Sequence, residues 1–140
     1  MSVFRICHLS SILGLIFSLA FANSYANETP AKVVLHINNP LKMTMLVNNV
    51  KNLRATFGKK ASIYVVVNGP AVARFTTLSE SATQLQSLLS EKAQVGVCSI
   101  ALKNRNLVKK HLRSGTTYLE DGGVAKLVTL QHQGYAYIKP

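Results

Sequence analysis

Residues 32–70 read KVVLHINNPLKMTMLVNNVKNLRATFGKKASIYVVVNGP. The opening run, Lys32 to Asn38, is short, nearly all apolar and rich in β-branched residues, as suits a strand covered on both faces. Asn39-Pro40 then supplies an N-cap followed by proline at the first helical position. Met43, Leu46, Val47, Val50, Leu53 and Phe57 recur at three- and four-residue steps as far as Gly58. Ser62 to Asn68 repeats the buried-strand signature, and Gly69-Pro70 ends it. The stretch is one β-α-β unit.

The rest of the chain continues the alternation. Ser81-x-x-Gln84 has the form of a capping box, and Ala82, Leu85, Leu88 and Leu89 carry an apolar stripe to Lys92. Val95 to Cys98 reads as a third strand, Ala101 to Leu112 as a further helical stretch, and Thr116 to Leu119 as a fourth strand. Val124, Leu127, Val128 and Gln131 mark the last helix. Gly134 suits its C-terminal cap, and Tyr135 to Ile138 a fifth strand. Short apolar strands alternating with helices predict a three-layer α/β/α domain over residues 32–140, with a mostly parallel five-stranded sheet and right-handed crossovers.

Composition agrees. The 140 residues are 48% hydrophobic and 15% charged, which excludes a disordered polyelectrolyte and allows one core. No self-similar period of repeat length is present. Residues 1–26 stand apart from the fold: Met1 to Ser11 holds Arg5 and no acid, and Ile12 to Ala22 is an apolar-rich run. Eleven helical residues span about 16 Å, roughly half of a hydrocarbon core about 30 Å thick. The segment is therefore expected to be a signal peptide, cleaved after Ala26, with Ala20-Phe21-Ala22 as the second choice. Residues 27–31 form a short linker, in which Asn27-Glu28-Thr29 matches a glycosylation triplet. The expected location is the periplasm, with no transmembrane helix after cleavage.

Cleavage removes Arg5 and Cys7 and leaves fifteen basic and five acidic residues, a charge of +10, with Cys98 as the one cysteine. An exported domain with a single cysteine makes no internal disulfide, so the role of Cys98 needs explaining. In open α/β sheets functional groups gather beyond the carboxyl ends of the strands. Those ends are His36 to Asn39, Asn68 to Pro70, Cys98 to Ile100 and Glu120 to Gly123, and Cys98 is their one good nucleophile. Helix amides after the strand, with Lys103 and Arg105 in the next turn, favour its thiolate form. A small buried hydrophobe filling the strand end accounts for the same position, and a thiol redox sensor is a third reading.

Other residues offer less. His36 is placed to face Cys98 across the crevice as a base or orienter, against the plainer reading of a histidine hydrogen-bonded at the core margin. His111 and His132 lack a partner at metal-ligand spacing, so no metal site is expected. Glu120 and Asp121 are better explained by the dipole of the following helix than as an acid/base pair. Neither Asn68-Gly69-Pro70 nor Gly122-Gly123 has the spacing of a phosphate-cradling loop. The basic residues are dispersed, and export removes most nucleic-acid partners, so none is expected. The charge should still draw small anions such as thiosulfate or polysulfide, or an anionic membrane surface.

Val95-Gly96-Val97-Cys98-Ser99-Ile100-Ala101-Leu102-Lys103-Asn104-Arg105 resembles the segment of DsrE/DsrF-type sulfur-trafficking proteins in which a strand delivers the reactive cysteine and a helix follows. The opening KVVLHINNP, the stretch Asn48 to Leu53 and the Val67-Asn68-Gly69-Pro70 turn look like exported members of that family. So do Gly122-Gly123-Val124, Leu130-Gln131 and the tail Gln133 to Pro140, and the likeness covers about residues 31–140. It implies a five-stranded parallel sheet, homo- or hetero-oligomers, no metal or organic cofactor, and Cys98 as acceptor and donor of sulfane sulfur. Partners would be a sulfur donor or acceptor protein or a small anionic sulfur compound. By family position Ser99, Ile100 and Ala101 would supply backbone amides, and Arg105 would meet an anionic donor.

Overall fold

The computed structural model describes residues 30–140. The leader reading of residues 1–26, its cleavage after Ala26, Cys7 and the triplet Asn27–Thr29 lie outside those residues.

Five strands alternate with helices: β1 (Lys32–Ile37), α1 (Met43–Phe57), β2 (Ser62–Val67), α2 (Ala82–Ser90), β3 (Gln94–Cys98), α3 (Ser99–Lys103), β4 (Thr116–Leu119), α4 (Gly122–His132) and β5 (Ala136–Ile138). Every pairing is parallel, in the order β4-β3-β2-β1-β5. The first three crossovers step the same way across the sheet, so right-handed connections put α1, α2 and α3 on one face. The fourth runs back to the far edge and puts α4 on the other.

The side-chain period of two divides the core accordingly. Val33, Leu35, Ile37, Ile63, Val65, Val67, Val95 and Val97 pack with Leu46, Val50, Phe75, Leu85, Leu88 and Leu102 on the first face. Val34, Tyr64 and Val66 meet Leu119, Leu127 and Leu130 on the second. Burial of each large aliphatic side chain contributes about 1.5–3 kcal/mol, which is why β1 and β2 read as nearly continuous apolar runs. Gly96 leaves room for this second core, since a Cβ there would stand 2.8 Å from Tyr64 Oη and 2.9 Å from Leu119 Cδ2.

Two local expectations need correction. The helix expected over Ala101 to Leu112 is five residues long, Ser99–Lys103. Asn106 adopts φ 55°, its N–H donates to Lys103 O, and Leu107 N–H donates to Leu102 O. That is a Schellman end with asparagine in the place usually given to glycine, and Leu107 packs back on the core. A 3-10 turn over Lys109–His111 then leads to β4. The capping box at Ser81 also does not form, because Ser81 makes no side-chain cap bond. Ser79 Oγ instead accepts from Ser81 N and donates to Ser81 Oγ, both at 3.1 Å. Lys92 at φ 55° closes the same helix two residues earlier than its stripe implied.

Candidate functional site

β3 feeds α3 on one face and β4 feeds α4 on the other, so a crevice opens between the carboxyl ends of these neighbouring strands. Cys98 is the last residue of β3 and pairs with Leu119, the last of β4. Cys98 also caps α3: with φ −65° and ψ 119° its backbone is still extended, and Sγ accepts a hydrogen bond from Ala101 N–H at 3.4 Å. The residue is 4% exposed.

α4 closes on the same atom. Gly122 has φ +86°, and a Cβ there would lie 3.7 Å from Cys98 Sγ and 3.0 Å from Ile100 Cδ1. A Cβ on Gly123 would stand 3.2 Å from Cys98 Cβ, 3.3 Å from Val66 Cγ1 and 3.6 Å from Asn68 Cβ. The glycine pair therefore lets the first turn of an eleven-residue helix, with its partial positive charge, pack onto the cysteine. Ile100 is the exposed side chain that reaches the same space, 55% open to solvent. Beside Gly122 a groove of about 350 Å³ runs along Tyr118 to Asp121 and Lys126.

Ser99 holds the corner together. Its buried Oγ donates to Glu120 O at 2.9 Å, tying the start of α3 to the β4–α4 turn. Glu120 directs its carboxylate outward, to Lys109 Nζ at 3.5 Å, with both side chains largely exposed. Asp121 precedes α4 without a side-chain cap bond.

The other residues singled out from the sequence are not gathered here. His36 lies on β1, separated from β3 by β2, and its Nδ1 is 2.8 Å from Tyr137 Oη. The two rings are 5.9 Å apart between centroids. His36 Nε2 is buried with no hydrogen-bond partner among the described residues. Burial, and then the nearby charge of Lys139, push its pKa below the ordinary value, so the ring is held neutral. Arg105 is exposed beyond the end of α3, and among the described residues no hydrogen bond or ion pair ties it to the thiol. No group of three or more His, Cys, Asp or Glu converges among the described residues.

The Gly122-Gly123 pair, which the sequence did not connect with Cys98, is the largest addition. Two glycines at the start of a helix, where propensity disfavours them, were the available signal.

The model of the DsrE/DsrF-like family matches residues 31–140. No curated protein matches the chain. Among solved structures, the protein of unknown function MTH1491 from Methanobacterium thermoautotrophicum is similar at 28% identity and a TM-score of 0.72, over 79% of this chain and 99% of that one. The ychN protein from E. coli shares the fold at 16% identity and a TM-score of 0.64, over 79% of this chain and 99% of that one. BT1422 from Bacteroides thetaiotaomicron does so at 16% identity and a TM-score of 0.63, over 78% of this chain and 94% of that one.

Proposed function

The chain belongs to the DsrE/DsrF-like family, and from that premise we propose that it is an exported, oligomeric sulfur carrier in which Cys98 holds sulfane sulfur as a persulfide. In loading, the Cys98 thiolate attacks a terminal sulfur of a polysulfide. The new Sγ–S bond forms as the donor's S–S bond breaks, and the shortened polysulfide leaves with the electron pair. In delivery, a thiolate on the acceptor attacks the outer sulfur and the Cys98 thiolate departs. Neither step needs an external oxidant, a metal or an organic cofactor.

The observation that carries this reading is the convergence of two helix starts on one sulfur: the Ala101 amide donates to Sγ from α3, and Gly122-Gly123 bring α4 against it. Backbone amides and helix N-termini are donors suited to the anionic outer sulfur of a persulfide. Ile100 is the mostly exposed side chain beside the thiol at Gly122, and in this reading it moves aside for a donor to enter. Intact-mass analysis after polysulfide treatment tests the reading, through a sulfur adduct that Cys98→Ser abolishes.

A second reading takes its support from that same 4% exposure: a non-catalytic oligomeric module in which Cys98 is core packing. A thiol reagent separates the two. Labelling of the native chain favours the carrier, and labelling only after denaturation favours the module.

A further inference from the structure

Residues 103–113 (KNRNLVKKHLR) hold Lys103, Arg105, Lys109, Lys110 and Arg113, and no acid occurs between Glu91 and Glu120. The early end of α3 lays this segment out as an exposed, irregular connection in which Lys103, Arg105, Lys109 and Lys110 face solvent. Apolar side chains are interleaved with them: Val108 is 48% exposed, and Leu78, on the adjoining loop, 75%. Thr77 N–H donates to His111 O at 2.8 Å, so the two loops form one surface.

That surface is linked to the corner that holds the thiol. Lys109 pairs with Glu120, Glu120 O receives Ser99 Oγ, and Ile100, one turn before Lys103 on α3, lies against Gly122 beside Cys98 Sγ. Cations with protruding aliphatic residues between them, at the rim of a reactive atom, match an acidic surface with apolar gaps. A small anion would need a closed pocket of cations, and these side chains fan outward. A membrane would satisfy the charge but offers no thiol to receive sulfur.

We propose that the 103–113 segment, with Ile100 and Leu78, is the docking surface for an acidic protein that exchanges sulfur with Cys98. The identity of the occupant rests on the carrier reading above; the charge and location of the surface do not. Steering by such a patch raises encounter rates and falls with ionic strength.

The test uses a fluorescent poly-glutamate peptide and its poly-glutamine analogue, with binding read by anisotropy at low and physiological salt. Two variants of equal charge change are compared: Lys103→Gln/Arg105→Gln/Lys110→Gln, and Lys51→Gln/Lys59→Gln/Lys60→Gln on α1 and the turn that follows it. The proposal expects the glutamate peptide to be preferred. It also expects about a tenfold loss in the first variant and less than about a twofold loss in the second. Equal losses in the two variants, or no preference for glutamate over glutamine, overturn it. Phosphatidylserine/phosphatidylcholine vesicles that bind through the same three cations, with no peptide preference, also overturn it and assign the surface to a membrane. Peptide binding involves no thiol chemistry, so its failure and the failure of the persulfide reading are separate results.

Discussion

Gly123 stands against Cys98 so closely that a Cβ on the glycine would lie 3.2 Å from the cysteine Cβ, with Val66 Cγ1 only 0.1 Å farther at 3.3 Å. A side chain on the helix start at this point requires the Cys98 and Val66 side chains to give by a few tenths of an ångström. The glycine pair is thus what lets the second crossover face reach the carboxyl end of β3.

Gly123→Ala is expected to destabilise the chain by about 2 kcal/mol through overpacking against Cys98 and Val66. Gly122→Ala is expected to lose about 1–2 kcal/mol, from the left-handed backbone it requires and from contact with Ile100. Urea denaturation measures both. A change below about 0.5 kcal/mol for Gly123→Ala contradicts the close packing of α4 on Cys98.

Ile100→Ala should leave stability nearly unchanged, because the side chain is mostly exposed. It should raise the rate at which a thiol reagent modifies Cys98 in the native chain several-fold, since modification of a buried thiol follows the population of the open form. An unchanged labelling rate shows that Ile100 does not control access.

His36 makes the fold sensitive to acid. Its pKa in the folded chain lies below the ordinary value of 6.5, chiefly from burial and then from Lys139. The unfolded chain therefore takes up the proton first, and stability rises with pH in that window. The contribution is fully present above pH 6.5 and is lost as pH falls through the folded-state value. His36→Gln should flatten this part of the stability profile. A profile equally steep in the variant assigns the acid sensitivity to other groups.

Arg54 ties the end of α1 to the α1–β2 and α2–β3 connections. Its guanidinium donates to Glu91 O twice, to Gly58 O and to Ala61 O. Arg54→Ala should cost about 2–3 kcal/mol by stranding these carbonyls, and Arg54→Lys should recover less than half, because one ammonium cannot span the fork. Full recovery by lysine contradicts that role.

Much of this architecture was legible because parallel strands covered on both faces are nearly all apolar, as Ile63 to Val67 are and as Val33 to Ile37 are apart from His36. Helix ends were less so. Asn106 and Lys92 take the left-handed conformation without glycine to announce it, so the helices before them look longer in the sequence than they are. The stretch from Gly69 to Phe75 carried no periodic signal, yet it forms a 3-10 segment with Ala71, Val72 and Phe75 buried. Cys98 was placed at a strand end followed by a helix start, and it is found there. Its approach by Gly122 and Gly123 depends on a fold-back of the chain that local spacing does not encode. The same limit applies to His36: its strand was identified, but strand order puts β2 between it and Cys98.

Uptake of sulfur by Cys98 is read by intact mass of the native chain after polysulfide treatment without reductant. A carrier gains one or more sulfur atoms in mass, a gain reversed by dithiothreitol and absent in Cys98→Ser. An unmodified mass for the native chain, with Cys98 reached by a thiol reagent only after denaturation, would contradict the carrier reading.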